Sequence, residues 1–107
     1  MSDDSQIVVP PSFIALFVPV GRSRPDASRE HIAARYELCE DMATMLTEPA
    51  ATTLWQLGAT PDDVLERIHR GLLADGVAIS PAEAGWVLRR LAELLGWETG
   101  LFAAGPA

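Results

Sequence analysis

The sequence has no lysine. Its eight basic residues are all arginine, and with fifteen acidic residues the formal net charge is −7. The absence of lysine excludes a Walker lysine that would bind nucleotide phosphates and a Schiff-base lysine. The acidic balance disfavours nonspecific binding to nucleic acid or to anionic lipid, since both attract cationic surfaces. We therefore expect neither nucleic acid nor a membrane among the partners.

Cysteine is nearly absent too. The single thiol, Cys39, permits no disulfide within these 107 residues and no cysteine-based zinc site. Asp3 and Asp4 stand where a secretory signal would carry basic residues. The apolar run at residues 7–20 is too short to span a bilayer and contains three prolines. We expect a cytoplasmic protein.

The sequence contains several segments with the caps and spacing of α-helices. Its length and its hydrophobic fraction of 49% predict one folded domain over residues 1–107, with residues 1–6 and 98–107 flexible. The clearest segment is a helical hairpin at residues 60–97. Thr60 is a predicted N-cap, and Ser80 with Glu83 forms a predicted capping box. Two glycines are predicted to end the helices, Gly76 and Gly96.

Apolar residues recur at helical spacing in both halves of the hairpin. The stripes are Val64, Leu65, Ile68 and Leu72, then Ala84, Val87, Leu88, Leu91 and Leu95. Two helices cannot bury both stripes alone, so another element must cover them.

That element is predicted to be a long helix at residues 28–47. Its acidic side is expected to be solvated. Pro49 is expected to break or kink it, and residues 50–57 to form a separate short helix that contributes apolar side chains to the core. The apolar residues are Ile32, Tyr36, Cys39, Ala43 and Leu46 in the long helix, with Leu38, Met42 and Met45 widening that face on one side, then Leu54, Trp55 and Leu57.

The apolar segment at residues 7–20 is predicted to be an extended arm followed by one or two helical turns at residues 13–17, with Ser12 as a cap. It either packs over the helical core or presents a partner-binding patch. Trp86 lies off the apolar stripe of its helix, towards Arg90. It needs cover from the arm, from the C-terminal tail or from a second molecule. The candidate partner-binding residues are Phe13, Leu16, Phe17, Trp86 and Arg90.

A basic cluster surrounds the loop at residues 21–27. Arginine forks bind anions well, although such a loop is more often simply solvated. The candidate anion-binding residues are Arg22, Arg24, Arg29, His31 and Arg35.

No motif indicates catalysis, a metal or a cofactor. Glu66 and His69 form an E-x-x-H pair, but a di-iron bundle needs a second such pair. A helix-turn-helix interpretation of residues 60–97 fails because the second helix carries only two cations against two acids. We expect no catalytic residues, no metal site and no cofactor.

Four stretches, SQIVVPPSFIALFVP, IAARYELCEDMA, HRGLLADG and EAGWVLRRLAELLGW, resemble a group of small, uncharacterised proteobacterial proteins. The resemblance extends over residues 5–97 and implies a bacterial, intracellular protein. Some members carry a generic label of ATPase with chaperone activity, but the phosphate-binding loop of an ATPase is not present in this sequence. The resemblance brings no catalytic residues with it.

The sequence thus predicts an all-α bundle of four or five helices with an apolar N-terminal arm. The expected function is that of a non-enzymatic adaptor or interaction module, which binds a protein partner or forms a homodimer. One alternative is a regulator that binds a small ligand or nucleotide near Arg22, Arg24 and Arg35. Another is an ATP-independent holdase.

Overall fold

The computed structural model describes residues 8–74 and 78–98, and this part of the chain is all-α. It contains four α-helices in chain order and a 3-10 turn, Ala15–Phe17, that continues the first of them. The residues described include no β-strand, so the predicted fold class is confirmed. The helices are α1 Pro11–Ile14, α2 Arg29–Leu57, α3 Pro61–Ala74 and α4 Pro81–Leu95.

Helix α2 runs through Pro49 without interruption, so the break that was one of the two outcomes predicted there does not occur. A proline inside a helix removes one backbone hydrogen bond and disfavours helix formation by about 3 kcal/mol. Here the helix has apolar anchors on both sides of the proline. Ala50 is fully buried in the core, and Leu46 and Leu54 pack against the same cluster. Burial of these side chains offsets the cost and keeps α2 continuous.

The capping signals predicted at Thr60 and Ser80 are confirmed, and Ser28 caps the start of α2 without having been predicted to do so. The backbone N–H of His31 donates to Ser28 Oγ (3.0 Å), and that of Asp63 donates to Thr60 Oγ1 (3.1 Å). Ser80 and Glu83 form both bonds of the predicted capping box, at 3.1 and 2.8 Å. Each bond satisfies a backbone amide that would otherwise lack a partner at the start of a helix.

At the other ends of the hairpin helices, Gly96 terminates α4 with a φ of 71°, a left-handed conformation that favours glycine. The second predicted terminator, Gly76, lies outside the described residues.

The chain divides into two compact units, Met1–Leu38 and Cys39–Ala107, with the boundary inside α2. The prediction of a single domain remains a prediction. In the second unit, α3 packs against α4. Six buried residues form its core: Ala50, Val64, Leu65, Leu88, Leu91 and Ala92.

Helix α4 is buried on more sides than its predicted stripe. Glu83, Trp86 and Ala92 are buried in addition to most of the stripe, of which Leu95 is only half-buried. The helix therefore occupies the interior of its unit, and the simple division into an apolar side and a polar side does not hold for it.

The first unit is organised around Phe13, which is fully buried. Its ring lies 5.5 Å from that of Phe17 and 5.7 Å from that of Tyr36, the latter in an edge-on arrangement. Such aromatic contacts are favourable beyond simple burial. Helix α1 begins at Pro11 with Pro10 in the N-cap position, so the prediction of Ser12 as the cap was wrong.

None of the helices described is both long enough and apolar enough to cross a membrane.

Candidate functional site

The aromatic residues predicted to bind a partner are largely covered within a single chain. Phe13 is fully buried, and Leu16 and Phe17 are half-buried. Trp86 is 9% exposed, so the chain itself supplies the cover that the sequence showed it to need. These four side chains offer little free apolar surface in this conformation, and their role in partner binding remains a prediction.

Arg90, the fifth of these residues, is held by two carboxylates. Its Nε donates to Glu40 Oε1 (2.9 Å) and its Nη2 to Glu40 Oε2 (3.0 Å), while Nη1 donates to Glu93 Oε1 (3.0 Å). The hydrogen bonds that Arg90 donates to Glu40, and the one that it donates to Glu93, raise the pKa of Arg90 against the opposing effect of its partial burial. The expectation that the whole acidic side of α2 is solvated was therefore wrong at Glu40.

The predicted anion-binding residues lie mostly on the surface. Arg22, Arg24 and Arg29 are exposed, whereas Arg35 is half-buried. His31 is exposed, but its ring makes an edge-on contact with the ring of Phe17, with the ring centroids 5.9 Å apart. That contact gives His31 a packing role, and anion binding by this set remains a prediction.

The most exposed large aromatic side chain of the described residues was predicted to be in the core. Trp55 is 86% exposed, and Leu57 is 52% exposed, so both of those assignments were wrong. The reason is geometric. Ala43, Ala50 and Leu54 follow one another at spacings of seven and four and share the buried face of α2, which leaves Trp55 about 100° away. The same spacing could have identified Trp55, once α2 was known to be continuous.

Trp55 belongs to a line of exposed side chains along α2. We call this line the outer face of α2. Its members are spaced alternately by four and three residues, so they project from one side of the helix over about 21 Å. Met45 was predicted to widen the apolar face of the helix, but it is 72% exposed, and the other members are exposed as well. The outer face consists of Asp41, Met45, Glu48, Thr52 and Trp55.

The outer face is rich in hydrogen-bond acceptors and lacks cations. Residues 39–57 contain three carboxylates and no arginine, lysine or histidine. Glu40 is engaged by Arg90, which leaves Asp41 and Glu48 exposed on the outer face. A further acceptor arises from Pro49. It has no N–H, so the carbonyl of Met45 lacks the donor that a helix normally supplies from four residues later.

An open cleft of about 300 Å³ lies where α2 turns into α3. Asp63 and Glu66 stand beside Arg67 and Arg70 in its wall, so the formal charges of the lining cancel. No group of three or more possible metal-ligating side chains occurs in the described parts of the chain.

Comparisons with protein-family models, with curated proteins and with solved structures find no match to this chain. The case for the outer face of α2 as a functional site therefore comes from its own geometry and chemistry.

Proposed function

We propose that this chain is a protein-interaction module of the bacterial cytoplasm, and that its contact surface is the outer face of α2. The observation that carries the proposal is the exposure of Trp55, at 86%, on a well-formed helix. Tryptophan is among the residues most enriched at binding hot spots. In a free chain, its ring exposes apolar surface to water that a partner would cover.

The size of that effect favours binding over simple solvation. Covering one large aromatic side chain contributes up to about 4 kcal/mol before the costs of ordering are subtracted. Met45 adds a flexible, polarisable side chain almost three turns away, of the kind that adapts to different partner surfaces. Together they provide two apolar anchors on one rigid helix, which needs no rearrangement to bind.

The proposed function is non-enzymatic. Arg90 is hydrogen-bonded to its two carboxylate partners, and Cys39 is a buried thiol outside any disulfide. The exposed side chains of the outer face are two carboxylates, a hydroxyl, a thioether and an indole, which suit recognition. A buried thiol also fits the reducing compartment that we propose.

Affinity capture from a lysate of the native cells tests this proposal. The immobilised wild-type chain is compared with Trp55→Ala, and light scattering establishes the mass of the free chain. We expect a protein that the wild type retains and that Trp55→Ala loses. Because Trp55 is so exposed, the substitution should change the free energy of unfolding by less than about 0.5 kcal/mol.

Leu94→Ala is the matched control. Leu94 is also an exposed apolar residue, at 40%, but it lies on α4. Capture should survive this change. A wild-type chain that stays monomeric and retains nothing, or a partner retained equally by Trp55→Ala, would remove the basis of the proposal.

A further inference from the structure

We infer that the outer face of α2 recognises a cationic amphipathic helix of a different protein. This inference rests on the proposed function and adds the chemistry of the partner to it. It draws on three features of that face: the alternating spacing of its residues by four and three, its negative charge and its hydrogen-bond acceptors.

The alternation indicates a helical partner. Spacings of four and three residues along Asp41, Met45, Glu48, Thr52 and Trp55 are the pattern with which one helix packs lengthwise against another. The line extends over about 21 Å, which matches a partner helix of about 14 residues. Met45 and Trp55 would pack against apolar residues of that helix, and the positions between them carry the polar contacts.

Charge complementarity indicates that the partner helix is cationic. Asp41 and Glu48 are exposed on the outer face, and residues 39–57 supply no cation to neutralise them. An arginine or lysine placed between Met45 and Trp55 can pair with Glu48. The same cation can approach the face of the Trp55 ring and gain a cation–π contact.

Hydrogen bonding also indicates a cationic partner. The Met45 carbonyl does not receive the hydrogen bond that a helix normally supplies from four residues later, because Pro49 has no N–H. Arginine and lysine side chains carry several N–H donors and no acceptor, so they complement a surface on which two carboxylates and a carbonyl are all acceptors.

A second copy of this chain fits the face poorly. Parallel pairing of two outer faces would place each carboxylate beside its own copy. Antiparallel pairing would place Asp41 near the copy's Glu48, or Glu48 near itself. Like charges in such positions repel, and both copies carry a net charge of −7.

The test titrates the full chain with a synthetic 14-residue helix whose leucines repeat at spacings of three and four and whose flanks carry arginine. Calorimetry gives the affinity, and amide chemical shifts locate the site. We expect shifts concentrated within residues 41–55. We expect Trp55→Ala to weaken binding at least about tenfold, while Leu94→Ala leaves it unchanged.

Charge is tested separately. The double variant Asp41→Asn/Glu48→Gln should weaken binding a few-fold and reduce its dependence on salt concentration. A matched peptide with glutamate in place of arginine should bind at least tenfold more weakly than the arginine peptide. These changes leave Met45 and Trp55 in place, so they isolate the ionic part of the recognition.

Several results would overturn the inference: no binding of the arginine peptide, equal binding of the glutamate peptide, shifts outside residues 41–55, or equal affinity for Trp55→Ala. Salt-sensitive dimerisation that Trp55→Ala abolishes would assign the face to a second copy instead. The proposed function is judged independently. Loss of a captured protein with Trp55→Ala but not with Asp41→Asn/Glu48→Gln would retain the interaction module and reject the cationic partner.

Discussion

Arg90 of α4 donates hydrogen bonds of 2.9 and 3.0 Å to the two carboxylate oxygens of Glu40, which lies on α2 fifty residues earlier in the chain. The two side chains are 33% and 25% exposed, so water screens the pair only in part. A fork of this kind fixes the relative orientation of its two partners as well as their separation. It ties the second half of α2 to the interior helix of the same unit.

Replacing Arg90 with alanine should lower the free energy of unfolding by about 1–2 kcal/mol, since it leaves Glu40 without its fork. Arg90→Lys should recover only part of this, because an ammonium cannot form the paired contact. Glu93→Gln is the control. Glu93 is 60% exposed, and its loss should have an effect below about 0.5 kcal/mol. Urea unfolding measures all three, and equal effects of Arg90→Ala and Glu93→Gln would contradict the account.

The effect of Arg90 should not depend on pH between about pH 6 and pH 10. Its pKa is raised, chiefly by the hydrogen bonds that it donates to Glu40. A raised pKa in the folded state means that the contribution is complete below the pKa of the unfolded chain and is lost only above it. The difference in stability between wild type and Arg90→Ala, measured across this range, checks the sign. A difference that shrinks from pH 8 to pH 10 would contradict it.

Ser80→Ala should destabilise the protein by about 1 kcal/mol, because it removes the oxygen that accepts from the Glu83 amide. Thr60→Ala is a useful comparison. Thr60 caps α3 in the same way, without a capping box in the reverse direction. Thr60→Ala should therefore lower the free energy of unfolding by no more than Ser80→Ala does. Thermal unfolding of both variants measures the difference, and a Ser80→Ala protein as stable as the wild type would show that the capping box is dispensable.

Phe13→Ala should destabilise the first unit by about 3 kcal/mol, since it empties a fully buried aromatic position beside Tyr36. Val20→Ala provides the control, because Val20 is fully exposed. Denaturation followed by circular dichroism separates the two. If both substitutions had the same small effect, Phe13 would not be the organising residue of that unit.

Pro49→Ala should stabilise the chain by about 1–3 kcal/mol. Alanine restores the N–H that α2 lacks at this position and donates to the Met45 carbonyl. The same change removes an acceptor from the outer face, so the arginine peptide should bind the variant more weakly. Stability measured by urea unfolding and affinity measured by calorimetry should therefore move in opposite directions. A destabilised Pro49→Ala protein would be evidence that α2 depends on the proline.

The structure shows which features a sequence of this kind reveals. Local chemistry was predicted well: Thr60, Ser80 and Gly96 act within one helical turn, so their residue types and spacing suffice. One of the two outcomes predicted at Pro49, a break, was wrong, because the local rule neglects the burial of Ala50, which depends on α3 and α4.

The exposed position of Trp55 was harder to predict for the same reason. A tryptophan is usually core material, and only the continuity of α2 reveals that Trp55 projects outwards. The Glu40–Arg90 pair could not be anticipated, since nothing in the sequence marks two residues fifty positions apart as neighbours. Trp86 was recognised as needing cover, but the sequence alone did not show that the chain supplies it.

The outer face of α2 is open in the isolated chain, and we expect a partner to cover it in the cell, a difference that oxidative footprinting measures. Met45 and Trp55 are both oxidisable and exposed, whereas Trp86 is buried and serves as an internal reference. In the purified protein, Met45 and Trp55 should react much faster than Trp86. Inside native cells, the account predicts that both are protected severalfold while Trp86 is unchanged. Equal rates at Met45 and Trp55 in the two settings would contradict it.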